Sequence, residues 1–144
     1  MSARLLLLAL AVWAGAANPA WAERLVVTAP IANIRTGPGT DHAVVWQVEK
    51  YHPLNIIERR GPWCRFEDFE GDHGWIHDSL LGRIDAVITV KEACNVRSGP
   101  GTNYEVVFRV GAGVPFKVRR RKGNWLHVEH ADGEQGWIER SLVW

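Results

Sequence analysis

The stretch ANIRTGPGT (Ala32–Thr40) is repeated later in the chain as CNVRSGPGT (Cys94–Thr102), and this repeat defines the domain organisation. The separation is 94 − 32 = 62 positions. The same offset places EGDHGWIHDSL (Glu70–Leu80) over DGEQGWIERSL (Asp132–Leu142), with no gap between the two motifs. A period of about 60 residues suits a small domain that closes its own core better than it suits a solenoid unit. The sequence therefore predicts two copies of one domain.

Apolar residues within each copy follow a two-residue period, in short runs separated by Gly, Pro and Asp. Val44, Trp46 and Val48 form one such run. This pattern is typical of half-buried strands, and no stretch after the leader keeps a helical period for about ten residues. Closing short strands into a barrel removes exposed sheet edges. We predict an all-β protein of two tandem small barrels, residues 23–82 and 83–144, with five or six strands in each.

The first residues have the features of an export signal. Arg4 precedes an unbroken apolar run at residues 5–17, and Ala20 and Ala22 match a small-residue cleavage site. The run is shorter than the roughly 20 residues that span a bilayer. We predict that residues 1–22 are a cleaved signal peptide. The mature protein should then be periplasmic or extracellular, without stable membrane insertion.

Charge is nearly balanced over the whole chain, with 17 Lys and Arg against 16 Asp and Glu and a formal net charge of +1. Such a balance excludes the excess of positive charge that is typical of dedicated nucleic-acid binders. Residues 23–82 have a net charge of 6 − 9 = −3, and residues 83–144 have 10 − 7 = +3. The two copies should therefore attract each other, and we expect no nucleic-acid partner.

The repeated motifs resemble the bacterial SH3 (SH3b) domain family. They are NIRTGPGT, which begins at Asn33, and NVRSGPGTNY, which begins at Asn95, each followed by a Gly-x-Trp and then by Gly-Trp-Ile. The resemblance implies an SH3-like barrel in each copy, on an exported protein that contacts the bacterial envelope. It also implies binding of peptidoglycan or its peptides, as a targeting module of the kind found beside hydrolases. Because the two copies and the leader account for the whole sequence, we expect no enzyme activity.

Tryptophans are the leading candidates for ligand contact. Ile76 should face the core, so alternation predicts that Trp75 and its equivalent Trp137 point to the exposed side of their strands. Trp63 and Trp125 begin strands just after a loop, where an indole can stack on a sugar or a peptide. Packing in the core or at the barrel edge is the alternative for all four, since small domains gain buried area from tryptophan.

Side chains beside the glycine turns form the second group of candidates. Arg35 and Arg97 can clamp a ligand carboxylate, or instead hold the loop by donating hydrogen bonds to backbone carbonyls. His42 and Tyr104 occupy equivalent positions after the turn and can rim a groove.

The histidine pattern argues against a metal site. His73 and His77 have a spacing that chelates on a helix, but on a strand rising about 3.3 Å per residue they lie roughly 13 Å apart. The second copy has Gln135 and Glu139 at these positions. We expect solvated polar side chains, with no metal, no cofactor and no catalytic residue.

Only two cysteines occur, Cys64 and Cys94, and they fall at different positions in their copies. A disulfide between them would join the two barrels, and closing 94 − 64 = 30 residues would stabilise the fold by roughly 3 to 4 kcal/mol. Both cysteines also share strand faces with apolar residues, which suits two buried thiols. We predict the disulfide, with buried thiols as the alternative; a catalytic thiol lacks a positioned base.

A basic run, KVRRRK, occupies residues 117–122. Strict alternation places Lys117, Arg119 and Arg121 on one face of a strand. The face is either a solvated edge protected against aggregation or a contact for an anionic glycan, a lipid headgroup or the acidic copy of another molecule.

Two functional hypotheses remain. The first is a non-catalytic cell-envelope binding module that recognises peptidoglycan or its peptides. The second is a periplasmic adaptor that binds another envelope protein through the barrel grooves. An aromatic groove with a carboxylate-binding arginine favours the first, and an apolar patch that crosses both barrels favours the second.

Overall fold

The computed structural model of the protein describes residues 23–144, which form two small β-barrels in tandem. The predicted signal peptide, residues 1–22, lies outside the described residues. The strands of the first barrel are β1 (Glu23–Val27), β2 (Ile31–Arg35), β3 (Val44–Glu49), β4 (Pro53–Arg60), β5 (Trp63–Glu67), β6 (His73–His77) and β7 (Leu81–Gly82). Those of the second are β8 (Ala86–Ile88), β9 (Cys94–Arg97), β10 (Val106–Val110), β11 (Pro115–Lys122), β12 (Trp125–Glu129) and β13 (Gln135–Glu139).

Both sheets have the same antiparallel topology. The strand order is β3-β2-β6-β5-β4-β1-β7 in the first and β10-β9-β13-β12-β11-β8 in the second. The predicted all-β class and tandem barrels are confirmed, with seven strands in the first sheet because the two-residue β7 adds to the expected six. The predicted domain boundary after Gly82 falls between β7 and β8.

The last residues of each copy complete its sheet in the same way. In the first barrel β7 pairs with β1. In the second, Ile88 and Trp144 exchange two backbone hydrogen bonds, with N–H to O distances of 3.0 and 2.8 Å. A short 3-10 helix precedes each closing segment, at Asp78–Leu80 and Arg140–Leu142. No helix within residues 23–144 is long and apolar enough to cross a bilayer.

Each barrel encloses its own hydrophobic core, built from the inward-facing residues of its strands. Phe66 and Phe116 are the largest fully buried side chains of the two cores. The first core contains Leu25, Val27, Ala32, Ile34, Val48, Leu54, Ile56, Cys64, Phe66 and Ile76. The second contains Val87, Cys94, Val96, Phe116, Val118, Leu126, Val128 and Ile138. Two separate cores explain why the repeat unit is one whole domain.

Arg24 of β1 joins the first barrel to the second. Its Nη2 donates to the carbonyl oxygens of Ala86, at 3.1 Å, and of Trp144, at 2.9 Å. The guanidinium carbon lies 4.2 Å from the centroid of the Trp144 ring, within cation–π distance. Burial lowers the pKa of Arg24, and the nearby carboxylate of Asp85 opposes that shift. One side chain of the first copy thus bonds to both the first and last strand segments of the second.

Candidate ligand-binding grooves

The glycine turn after β2 is stabilised by Arg35. Its Nη1 donates to the carbonyl oxygens of Thr40, at 3.2 Å, and His42, at 2.9 Å. In the second copy, Arg97 donates to the carbonyls of Thr102 and Tyr104, at 3.2 and 3.0 Å. The loop-support role weighed for both arginines is therefore present in each barrel.

Arg35 also retains capacity to bind a ligand. A guanidinium has five N–H donors, and both loop bonds use Nη1. Within residues 23–144, Nε and Nη2 of Arg35 have no hydrogen-bond partner. Loop support and carboxylate binding are thus compatible for this residue.

The rings of His42 and Tyr104 lie on the glycine turns. A Cβ atom added to Gly37 would overlap the imidazole of His42, and one added to Gly99 would overlap the ring of Tyr104. Glycine is needed at both positions because of this close approach. Tyr104 is 44% exposed, so the loop presents an aromatic edge to solvent in the second copy.

The structure places Trp63 and Arg35 in one groove, here called the Trp63 groove. The groove has a volume of about 390 Å³. The Trp63 indole is half-buried and packs edge-on against the imidazole of His77, with ring centroids 5.1 Å apart and an interplanar angle of 89°. The lining residues are Ile31, Asn33, Arg35, Thr40, Gln47, Trp63, His77 and Leu80. An apolar indole wall thus faces a cation, a hydroxyl and two amides.

A second groove of about 480 Å³, here called the Trp75 groove, lies on the outer face of β4, β5, β6 and β2. Cross-strand pairing aligns Glu58 with Arg65, Arg65 with Trp75, and Trp75 with Arg35. Arg35 therefore lines both grooves.

The family model described as "Bacterial SH3 domain" matches residues 28–82 and 90–144. The chain belongs to the bacterial SH3 domain family. The resemblance seen in the glycine motifs is confirmed, and both copies are SH3 domains.

Curated relatives share these SH3 domains within longer proteins. A candidate N-acetylmuramoyl-L-alanine amidase of Bacillus subtilis is 26% identical over 129 residues, covering 82% of this chain and 25% of the relative. The probable cell wall amidase LytH of Staphylococcus epidermidis is 40% identical over 52 residues, covering 35% of this chain and 18% of the relative. This chain therefore spans a quarter or less of the length of these relatives.

Among solved structures, an NlpC/P60 family protein from Bacillus cereus aligns with a TM-score of 0.41 at 10% identity. The alignment covers 85% of this chain and 56% of the other.

Trp75 and Trp137 are buried, and the expectation that they are exposed was wrong. Each is 8% exposed, although Ile76 and Ile138 do face the cores as predicted. The outward-facing indoles are covered by long neighbouring side chains, which place their apolar stems over the rings. The guanidinium carbon of Arg60 lies 5.6 Å from the Trp75 ring centroid, and that of Arg120 lies 5.4 Å from Trp137. A binding role for these two indoles stays a prediction, restricted to their exposed edges.

The predicted disulfide is absent, because the two cysteines belong to different SH3 cores. Cys64 and Cys94 are free, fully buried thiols. The two-residue alternation points both inward, and the Cys94 thiol donates to the carbonyl oxygen of Lys91 at 3.4 Å. Burial raises the pKa of both thiols, which disfavours the reactive thiolate. The alternative of two buried thiols is the correct one.

The basic run does not place Lys117, Arg119 and Arg121 on one continuous face. A bulge between Val118 and Arg120 breaks the alternation of β11. Arg119 pairs with Glu129 at 3.0 Å, and Arg121 pairs with Asp85 at 2.7 Å.

Sequence reasoning missed His77 as a groove residue, treating it as solvated. Its Nδ1 accepts a hydrogen bond from the backbone N–H of Ser79 at 3.2 Å, which caps the short helix that follows. The signal was available, since a β5–β6 hairpin about Glu70 pairs position 63 with position 77 and brings Trp63 and His77 together.

Proposed function

We propose that the protein is a non-catalytic cell-envelope binding module that recognises peptidoglycan or its peptides, with the Trp63 groove as its principal site. The observation behind this proposal is the presence of Trp63 and Arg35 in one groove. Indole stacking favours sugar rings and peptide planes, and a guanidinium favours carboxylates. Wall peptides and glycans offer both kinds of group.

The relatives support the same ligand class. Both are named as amidases, one of them of the cell wall, and their shared segment is the SH3 region. A binding module in such proteins would hold the wall while another part acts on it. The same role here places the protein outside the cytoplasm, in the envelope or beyond it, which agrees with the predicted signal peptide.

The absence of catalysis is part of the proposal. The two thiols of residues 23–144 are buried in separate cores, and neither lines the Trp63 groove or the Trp75 groove. Nucleophilic catalysis requires an accessible nucleophile within reach of a base, and these thiols lack the access.

Sedimentation with purified peptidoglycan tests the proposal. The mature protein is compared with Trp63→Ala, Trp125→Ala and Arg35→Gln, each first shown to be folded by circular dichroism. We expect both Trp63→Ala and Arg35→Gln to weaken binding at physiological salt. Trp63→Ala removes stacking, which salt screens little, and Arg35→Gln removes the guanidinium that would bind a carboxylate. Wild-type binding by folded Trp63→Ala would contradict the assignment of the groove.

The adaptor hypothesis is favoured by a third groove, of about 490 Å³, on the side of the first barrel that meets Gly113 of the second. Its apolar walls include Ile31, which is 59% exposed, and the rings of Trp46 and Phe69, while Gly113 of the second barrel closes one side. A protein partner would bury this surface. Failure of the protein to sediment with peptidoglycan, together with capture of one defined envelope protein that Phe69→Asp abolishes, would favour this second function, since Phe69 lines the third groove and not the Trp63 groove.

A further inference from the structure

The outer faces of the two barrels have the same geometry but different charges. Pairing across the second barrel aligns Arg120 with His127, His127 with Trp137, and Trp137 with Arg97. This row, with Lys122 beside it, corresponds position by position to the row of the Trp75 groove. We call it the Trp137 face.

A carboxylate of the protein itself occupies the row in the first barrel. Oε1 of Glu58 lies 2.8 Å from Nε of Arg60, and Oε2 lies 3.8 Å from Nη1 of Arg65. All three residues line the Trp75 groove with the Trp75 indole. The first barrel therefore shows a carboxylate held between two cations beside a tryptophan.

The second barrel has two cations and no carboxylate at the equivalent positions. Arg120 stands at the position of Glu58, since 58 + 62 = 120, and Lys122 stands at that of Arg60. Within residues 23–144, neither Arg120 nor Lys122 makes a salt bridge.

Acidic residues that neighbour the Trp137 face are engaged elsewhere. Glu129 accepts hydrogen bonds from Arg119, at 3.0 Å, and from Gln135, at 3.4 Å. Glu139 accepts from the backbone N–H of Ser141, at 3.1 Å, and caps the last short helix. Neither carboxylate therefore forms a salt bridge with Arg120 or Lys122.

Two packed aromatic rings, those of His127 and Trp137, form the apolar floor of this face. His127 stacks on Trp137, with ring centroids 5.0 Å apart and an interplanar angle of 16°. The pKa of His127 is lowered by burial and by the positive charges of Arg119 and Arg120, with Glu129 opposing the shift. A neutral imidazole at neutral pH offers one N–H donor without adding repulsion between cations.

We propose that the Trp137 face is a carboxylate-binding site, in which a ligand supplies the carboxylate that Glu58 supplies in the first barrel. Arg120 and Lys122 supply charge-assisted hydrogen bonds, and the Trp137 and His127 rings form the apolar floor. The ligand class is an acidic peptide. This site is separate from the Trp63 groove and does not depend on the proposed cell-wall role.

Titration with the blocked peptide acetyl-Glu-Glu-Glu-amide, followed by NMR of the mature protein, tests the site. Acetyl-Gln-Gln-Gln-amide is the uncharged control at the same ionic strength. We expect the acidic peptide to shift the Trp137 indole N–H and the His127 ring signals, and to raise the pKa of His127, because a bound carboxylate stabilises the imidazolium. Shifts of equal size with the glutamine peptide, or none at Trp137 and His127 with the glutamate peptide, would overturn the proposal.

Reciprocal variants sharpen the test. Arg120→Glu places a carboxylate at the position of Glu58 and should weaken binding about tenfold or more, the loss expected for a charge-assisted hydrogen bond. Arg120→Gln removes the charge without a new one and covers the case in which Arg120→Glu does not fold. Glu58→Gln releases Arg60 and Arg65 and should add a second binding site at Trp75. Unchanged affinity in folded Arg120→Gln would contradict the assignment.

Inorganic phosphate distinguishes a carboxylate site from a general anion site. We expect phosphate at the same ionic strength to shift the His127 signals less than the glutamate peptide does. Tighter binding of phosphate would show that the face prefers phosphate and that the carboxylate assignment is wrong.

Discussion

The two SH3 domains of this chain share their backbone turns and differ in the side chains that face outward. Gly61 and Gly123 have φ values of 57° and 58°, and Gly71 and Gly133 have 82° and 93°. On the outer face, by contrast, Glu58 is replaced by Arg120 at the equivalent position. The turns need glycine because their backbone has a positive φ, whereas an outward-facing side chain can change its charge without disturbing the core. The second barrel is therefore a natural control for the first.

Deletion of a buried indole from one barrel tests whether the two barrels are energetically separate. Trp75→Ala removes a 92% buried indole, since 8% is exposed, and should destabilise the first barrel by about 3 to 5 kcal/mol. Trp137→Ala should do the same to the second. Hydrogen exchange of backbone amides measures each sheet separately. Loss of protection in β1–β7 alone for Trp75→Ala supports two cooperative units, and equal loss in both sheets would show that the barrels unfold together.

Acid should destabilise the first barrel because of His52. The equivalent residue of the second barrel is Val114, which has no titratable group. Burial lowers the pKa of His52 from 6.5 to about 4, with the Asp68 carboxylate opposing the shift. Between these two values the unfolded chain binds a proton that the folded chain does not, so the free energy of unfolding falls as pH drops from 6.5 to about 4. The loss should reach about 3 kcal/mol.

Urea unfolding of the wild type and His52→Val across this pH range measures the effect. Residual acid sensitivity from other groups is common to both proteins, so the difference between them isolates His52. Parallel pH profiles for the two proteins would show that His52 is not the cause.

Removal of the Arg24 contacts tests the joint between the barrels. Arg24→Met deletes the hydrogen bonds to Ala86 and Trp144 but keeps an apolar stem, and should cost about 1 to 3 kcal/mol. We expect residual dipolar couplings to fit one mutual orientation in the wild type and to require averaging in the variant. A single rigid orientation in both proteins would indicate that the short connection alone fixes the arrangement.

One left-handed turn position carries a different residue in the two copies. Tyr51 has a φ of 73°, and its counterpart Gly113 has 78°. A left-handed backbone costs a non-glycine residue about 1 to 2 kcal/mol, part of which the flexibility of glycine in the unfolded chain offsets. Tyr51→Gly should therefore stabilise the first barrel by about 0.5 to 1 kcal/mol, and Gly113→Ala should destabilise the second by about 1 kcal/mol. Denaturant midpoints measure both, and a destabilised Tyr51→Gly would show that the tyrosine ring contributes more than the strain removes.

Repetition and alternation were sufficient to predict the fold. Because side chains alternate along a strand, the inward positions of Phe66, Ile76 and Val96 could be assigned from the sequence alone. The same rule failed for Arg119, since the bulge between Val118 and Arg120 is set by tertiary pairing and leaves no clear signal in a run of basic residues.

The candidate site was predicted less completely than the fold. Arg35 and Trp63 were identified and lie in one groove, yet Trp75 was placed on the exposed side without account of the arginines that cover it. Alternation shows which face a side chain occupies, but not what other long side chains lie over it. The prediction of a disulfide was wrong for a related reason. Cys64 and Cys94 both point inward, but each points into the core of its own barrel.

Mapping a soluble muropeptide onto the isotopically labelled mature protein by NMR tests whether the Trp63 groove binds the cell wall. We expect the largest chemical-shift changes at the Trp63 indole N–H, the Arg35 guanidinium and the His77 ring, all in the Trp63 groove. Smaller changes are expected at the equivalent Trp125, where Glu139 replaces His77. Saturable binding that leaves the Trp63, Arg35 and His77 signals unchanged, or no binding at all, would show that this groove is not the site.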